Sequence, residues 1–216
     1  MPLKRSIDAT PLLVVKIGGS LYKSSRLAQW VRALKTYPHR LVVVCGGGPF
    51  SDAVRDTQKI MRFNDTAAHE MALLAMEQYA LALNNLFDLD LASTISDIEQ
   101  LHTKGHIALW RPSPMTLKAS DLNPSWNITS DSLSAWLANQ LSASALILIK
   151  SIDIKTTNII SELAADDVID PSFQDYLKEI PVNIAGPDCL KNASRLLSRG
   201  EYPGVPVFHS SQKIAS

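Results

Sequence analysis

The sequence predicts an α/β fold: a three-layer αβα sandwich around a largely parallel central sheet. Three observations predict it. Short apolar runs rich in Val, Ile and Leu recur along the chain. Continuous runs of this kind mark strands buried on both faces, as in a parallel sheet under helices. Segments with helical apolar spacing separate them, so strands and helices alternate. Two runs, Val14-Val15-Lys16-Ile17 and Leu41-Val42-Val43-Val44, lead into the glycine turns Gly18-Gly19 and Gly46-Gly47-Gly48. In such sheets ligands bind beyond the carboxyl ends of the strands.

Each element has its own signal. Residues before 12 read as a polar lead-in, and 12–17 as the first strand. A helix over 24–37 sets Leu27, Trp30, Val31 and Leu34 on one face, and Pro38 stops it. Residues 41–44 form the second strand, and Gly48-Pro49 opens a helix carrying Phe50, Ala53, Val54 and Ile60. Asp65-Thr66 can cap the next helix, which reaches about Asn84. That helix is apolar on nearly every face, so burial on several sides, in part by another subunit, is expected. Residues 86–100 read as mixed and short, 107–110 as a strand, 111–114 as a rigid loop and 121–126 as loop. Thr129 or Ser130 can cap a helix from Asp131 to about Leu141, and 145–149 form a buried strand. Residues 151–170 read as irregular, with Glu162, Asp166, Asp167 and Asp170 as a solvated surface. A helix over 172–179, a strand over 182–185, a helix over 188–198 and a strand over 205–208 complete the pattern. One domain spanning 1–216 is expected, without internal repeats.

Composition narrows the function classes. Lys+Arg is 21 and Asp+Glu is 21, a formal net charge of zero. That argues against nucleic acid as a partner, since such proteins usually carry a basic surplus; a local pocket for a small anion remains compatible. No apolar run approaches the roughly 18–20 residues of a membrane span, and the lead-in lacks a signal-type apolar core. The only cysteines are Cys45 and Cys189. With Cys45 at a buried strand end, a reduced, cytoplasmic setting is expected, and a disulfide between the two stays open.

The chemistry-bearing residues gather at the glycine turns. Bare backbone N–H groups and a helix start favour a bound anion. Lys16 adds a mobile positive charge at the same edge, so Lys16, Gly18, Gly19 and Gly46, Gly47, Gly48 are read as a phosphate site. No Walker loop, G-x-G-x-x-G fingerprint or G-x-S-x-G elbow occurs. Asp131 in Thr129-Ser130-Asp131-Ser132 reads equally as a helix-start acid or as an acid that orients a lysine. His69, alone on an apolar helix, reads first as a hydrogen-bonded core or interface residue. No His/Cys/Asp/Glu spacing suggests a structural metal site.

Taken together, Val15-Lys16-Ile17-Gly18-Gly19-Ser20, the Gly46-Gly47-Gly48 turn and Ser130-Asp131-Ser132-Leu133-Ser134-Ala135 resemble the amino acid kinase superfamily, and the order of elements fits across nearly the whole chain. A narrower likeness runs through residues 50–55, 68–72 and 125–134. They look like the small aminomethylfuran-methyl phosphate kinases of methanofuran biosynthesis. The resemblance implies an amino acid kinase fold and an ATP-dependent kinase acting on a phosphate or carboxylate acceptor. Magnesium would ride on the ATP phosphates with few protein ligands. It assigns Lys16 and Asp131 to catalysis, and Lys16, Gly18, Gly19, Ser20, Ser151 and Asp153 to the nucleotide. Gly46, Gly47, Gly48, Arg55 and His69 fall to the acceptor, and a homodimer or larger homo-oligomer without membrane or nucleic-acid partners is expected. Two departures stand out. Ile154 replaces a glycine in the loop after residues 145–149, which predicts an altered loop path and weak ATP affinity. The family's second phosphate-binding lysine has no motif counterpart, with Lys150 and Lys155 as candidates. The rival readings are a non-catalytic binding or regulatory relative, and an unrelated α/β protein that binds a small anion.

Overall fold

The computed structural model describes residues 10–154 and 157–209. In chain order, the first half holds β1 (Leu12–Ile17), α1 (Arg26–Leu34), β2 (Arg40–Cys45), α2 (Gly48–Met61), α3 (Asp65–Phe87), β3 (Asp90–Ala92) and α4 (Ile95–Thr103). Then come β4 (Ala108–Trp110), α5 (Ser113–Thr116), α6 (Ser130–Gln140), β5 (Ala145–Ile149), α7 (Ile160–Ala165) and α8 (Phe173–Tyr176). The chain closes with β6 (Val182–Ala185), α9 (Leu190–Leu197) and β7 (Val205–Val207).

The strands pair in the order β3-β4-β2-β1-β5-β6-β7, so β1 is the central strand. Every pairing is parallel except that of β6 with β7. β1 is buried along its whole length, as its unbroken apolar run requires. Its side chains alternate between two cores. Leu13, Val15 and Ile17 pack under α1 and α9, whereas Leu12 and Val14 pack under α6. Lys16 shares the Val14 face and is thereby aimed at α6. Register sets the functional edge: Ile17 pairs with Cys45 of β2 and with Ile149 of β5. The glycine turns and Lys150 therefore leave the sheet side by side.

Several elements depart from the expectations. α3 is capped by Asn64, whose side chain accepts from the Ala67 N–H at 2.9 Å, with Asp65 in the first turn. The stretch expected to be mixed holds the end of α3, the short edge strand β3 and α4. Thr94 and Asp97 close a capping box on α4: Asp97 N–H donates to Thr94 Oγ1, and Asp97 accepts from Thr94 N–H. α5 begins inside the expected 111–114 loop and runs past it, with Ser113 N–H donating to Glu77 Oε1. α7 occupies part of the segment read as irregular. Glu162, Asp166 and Asp167 are exposed as expected, but Asp170 is buried. In the single chain α3 exposes Met71, Leu74, Leu81 and Leu86.

Candidate active site

Beyond the carboxyl edge, backbone packs directly on backbone. Gly46 N–H donates to Ile17 O at 3.0 Å and Gly18 N–H to Ile149 O at 2.9 Å, extending the sheet into both turns. A Cβ on Gly19 would lie 2.6 Å from Gly48 N, and one on Gly46 would lie 2.7 Å from Gly19 N. Only glycine lets the two turns touch. Gly48, at φ +54, begins α2 in a conformation other residues rarely adopt.

Against this cradle stands a buried triad of charge. Asp131, in the first turn of α6, is held from two strands. Lys16 Nζ, from β1, lies 2.8 Å from its Oδ1 as an ion pair, at an angle that leaves Oδ1 without a regular hydrogen bond. Lys150 Nζ, just past β5, donates to its Oδ2. Lys150, one of the two candidates for a second lysine, thus meets the same carboxylate as Lys16, while Lys155 lies outside the described residues. Burial works to raise the Asp131 pKa, but the charges of Lys150 and Lys16 outweigh it and hold the carboxyl at about 2. Burial, opposed by Asp131, leaves the Lys150 ammonium below the usual lysine range. Two lysines share one carboxylate, so the cluster carries a surplus positive charge suited to an anion.

A cavity of about 240 Å³ opens beside the glycines. Gly19, Ser20, Gly46, Gly47, Gly48, Arg55 and His69 all line it, together with Trp126 and an apolar floor of Leu73, Met76 and Leu133. Arg55 stacks over Trp126 at 4.0 Å from the ring centroid, and Trp126 Nε1 donates to Gln58 Oε1 at 2.6 Å. His69 is buried, and burial pushes its pKa down, so it is neutral at pH 7. Burial also pushes the Cys45 thiol up to about 12, which makes it a poor nucleophile. Cys45 and Cys189 are both free thiols.

The remaining expected residues sit at the margin. Ser20 Oγ donates to Ser151 Oγ at 3.0 Å, joining the first glycine turn to the loop after β5. Asp153 engages the neighbouring turn: its Oδ1 accepts from Asp188 N–H at 3.0 Å. Ile154 packs against the core on the α6 side of the sheet. Among the described residues no group of three or more His, Cys, Asp or Glu side chains could hold a metal ion. Likewise no described helix is long and apolar enough to cross a membrane.

Sequence reasoning held Lys150 only as one of two candidates, passed over Trp126 as a site residue and misread Asp170 as solvated surface. Lys16 pairs with Leu148, so Lys150, two residues further on, projects from the same face of the sheet. Trp126 carries no local signal beyond being an aromatic in a loop. Asp170 caps α6 from a distant segment, which no local pattern reveals.

The model of the amino acid kinase family matches residues 11–177, a span that includes both lysines, both glycine turns, Asp131 and Asp170. A relative from Methanocaldococcus jannaschii, [5-(aminomethyl)furan-3-yl]methyl phosphate kinase, is 29% identical over 188 residues, covering 79% of this chain and 84% of the relative. Among solved structures, uridylate kinase from Archaeoglobus fulgidus superposes with a TM-score of 0.68 at 16% identity, over 91% of this chain and 99% of that one. UMP kinase from Ureaplasma parvum gives 0.69 at 16% identity, over 95% and 98%. At such identities the structural likeness shows the fold.

Proposed function

The chain belongs to the amino acid kinase family, and on that footing we propose that it is an ATP-dependent small-molecule kinase. It moves the γ-phosphoryl group of ATP to a phosphate or carboxylate acceptor, and the acceptor is an aminomethylfuran-methyl phosphate in methanofuran-type cofactor biosynthesis. The observation that carries the reading is the Lys16–Asp131–Lys150 cluster beside two apposed glycine turns.

In this reading an acceptor oxygen attacks the γ-phosphorus, the bond to the β–γ bridging oxygen breaks, and ADP leaves. Lys16 and Lys150 neutralise the charge that spreads over the transferring group, and Asp131 keeps both ammonium groups aimed. The glycine turns and the start of α2 supply backbone N–H donors to phosphate oxygens. A phosphate monoester is largely ionised at neutral pH, so it needs no general base; neutral His69 then serves shape and hydrogen bonding in the acceptor cavity. Magnesium would arrive on the nucleotide. Among the described residues the carboxylates form no ligand set for it, and Asp131 is already held by two lysines.

The relative named for the furan phosphate supports the acceptor assignment, as do the aromatic Trp126 and the apolar floor of the cavity. The working protein is proposed to be a cytoplasmic homo-oligomer. The test is calorimetry with ATP, followed by ADP release across furan phosphate, UMP and a carboxylate acceptor. Binding weaker than about 1 µM, with turnover on the furan phosphate, is expected. ATP binding without turnover on any acceptor would move the chain to the non-catalytic reading.

A further inference from the structure

Asp170 is a buried carboxylate outside the lysine cluster, with four donors converging on it. Its Oδ2 accepts from Thr129 N–H at 2.8 Å, from Ser132 N–H at 2.9 Å and from Ser132 Oγ at 2.9 Å. Its Oδ1 accepts from Thr129 Oγ1 at 2.6 Å. Thr129 is the cap residue of α6, yet its own side chain makes no capping bond to the helix. Asp170 therefore caps α6 from 38 residues away along the chain, through Ser132.

The placement is specific to Asp131. Thr129 and Ser132 bracket it in sequence, so Asp170 grips the backbone on both sides of the residue that holds the two lysines. Asp170 is itself immobilised. Its flanking residues Ile169 and Phe173 are core residues, and Ser172 N–H donates to Asn127 O at 3.2 Å. A second fixed point, from Ser134 Oγ to Asp131 O at 2.6 Å, completes the frame. Nor is a buried carboxylate there without cost: burial and the Asp131 charge both push the Asp170 pKa up, against the hydrogen bonds from Thr129 and Ser132.

We propose that Asp170 is a positioning residue that holds the first turn of α6 so that Asp131 keeps Lys16 and Lys150 aimed at the glycine turns. The catalytic consequence rests on the kinase reading above; the geometric claim does not. Asp170→Asn and Asp170→Ala separate geometry from charge. The asparagine oxygen can take the backbone N–H donors, and its amide can donate to Thr129 Oγ1, so Asn keeps the frame without the charge. Alanine removes both.

The first readout uses the ligand-free protein. Competitive acetylation with acetic anhydride, quantified per lysine by mass spectrometry, reports how well Lys16 and Lys150 are held, with exposed Lys59 as the internal reference. Asp170→Ala should raise labelling of Lys16 and Lys150 by about fivefold relative to Lys59, with Asp170→Asn within about twofold of wild type. The second readout is kinetic: in Asp170→Ala kcat should fall by about tenfold or more with little change in KM for ATP, and Asn should restore it. Unchanged labelling in a folded Asp170→Ala overturns the proposal, and so does Asn failing as badly as Ala. Should Asp170→Ala not fold, Ser132→Ala removes one of the four donors and should raise labelling by about twofold; no rise there overturns it as well. A wild-type protein without phosphoryl transfer would defeat the kinase reading and leave the labelling result to decide this one.

Discussion

Lys150→Met isolates what the second lysine does. The wild-type cluster buries two ammonium groups against one carboxylate. The substitution removes the surplus cation and leaves Lys16 and Asp131 as a charge-balanced pair at 2.8 Å, with Oδ2 giving up its hydrogen bond from Lys150. Replacing a buried ionic group by an apolar one of similar length is often neutral or stabilising by about 1–4 kcal/mol, provided no partner is orphaned. Asp131 keeps Lys16, so melting should stay level or rise, at about 2–4 °C per kcal/mol for a chain of this size. Phosphoryl transfer should suffer in the opposite direction. One charged contact to the transferring group is worth about 3–4 kcal/mol, so kcat should fall by a factor of about 10²–10³. The pH dependence gives an independent check. Burial depresses the Lys150 pKa below 10.5, so the unfolded chain binds this proton more readily than the folded one. Wild-type stability should therefore gain with rising pH up to about that value, and Lys150→Met should lose this gain. Scanning fluorimetry from neutral to alkaline pH, beside steady-state kinetics, reads both arms. Turnover within about threefold of wild type would refute the role given to Lys150. A melting point lowered by more than about 5 °C would refute the charge-surplus reasoning.

Asp131→Asn should act the other way, leaving two buried ammonium groups without a counterion. A loss of about 3–5 kcal/mol is expected by urea titration, and kcat should fall more than ATP affinity. The wild-type Asp131 contribution is fully present above pH 3.8 and lost as pH falls through about 2, so acid unfolding should be steeper in wild type than in Asp131→Asn. Trp126→Ala should raise the acceptor KM by about tenfold through the lost stacking surface, with KM for ATP unchanged; an equal rise in both would place Trp126 outside the acceptor cavity. Finally, Phe50, Met71 and Leu74 crowd one apolar groove between α2 and α3, and a homodimer closing on it should dissociate in Leu74→Asp. Light scattering that finds wild type monomeric at micromolar concentration would remove that interface.

What was legible in the sequence was local. The glycine turns and Lys16 announce themselves because strand, lysine and glycine are contiguous, and a parallel sheet brings such ends to one edge. Asp131 was legible only as one of two readings, since a helix-start acid and a lysine-orienting acid have the same sequence neighbours; the structure gives it both places at once. Lys150 required the register of β1 against β5, a non-local fact. Asp170 was misread for a physical reason: it closes a run of spaced acids, and nothing within a few residues shows that Ile169 and Phe173 drag it into the core. Asp153 kept its motif position but spends its Oδ1 on the Asp188 N–H. The short β3 and α4 were hidden because three residues of strand carry no periodicity, and their Thr94–Asp97 box uses Asp in place of the usual Glu or Gln. Among the long, strongly patterned segments, β1 and β5 were read with their observed bounds, and β2 and α3 with small errors at their ends.

The measurement that bears most directly on the kinase reading is ³¹P NMR of the protein with ATP, magnesium and [5-(aminomethyl)furan-3-yl]methyl phosphate. The expected result is loss of the ATP β-phosphate signal, appearance of ADP, and a new pair of diphosphate signals in one-to-one ratio with ADP, all absent from Lys16→Met. A spectrum in which ATP stays intact, or in which only inorganic phosphate accompanies ADP while the furan monophosphate persists, would contradict it.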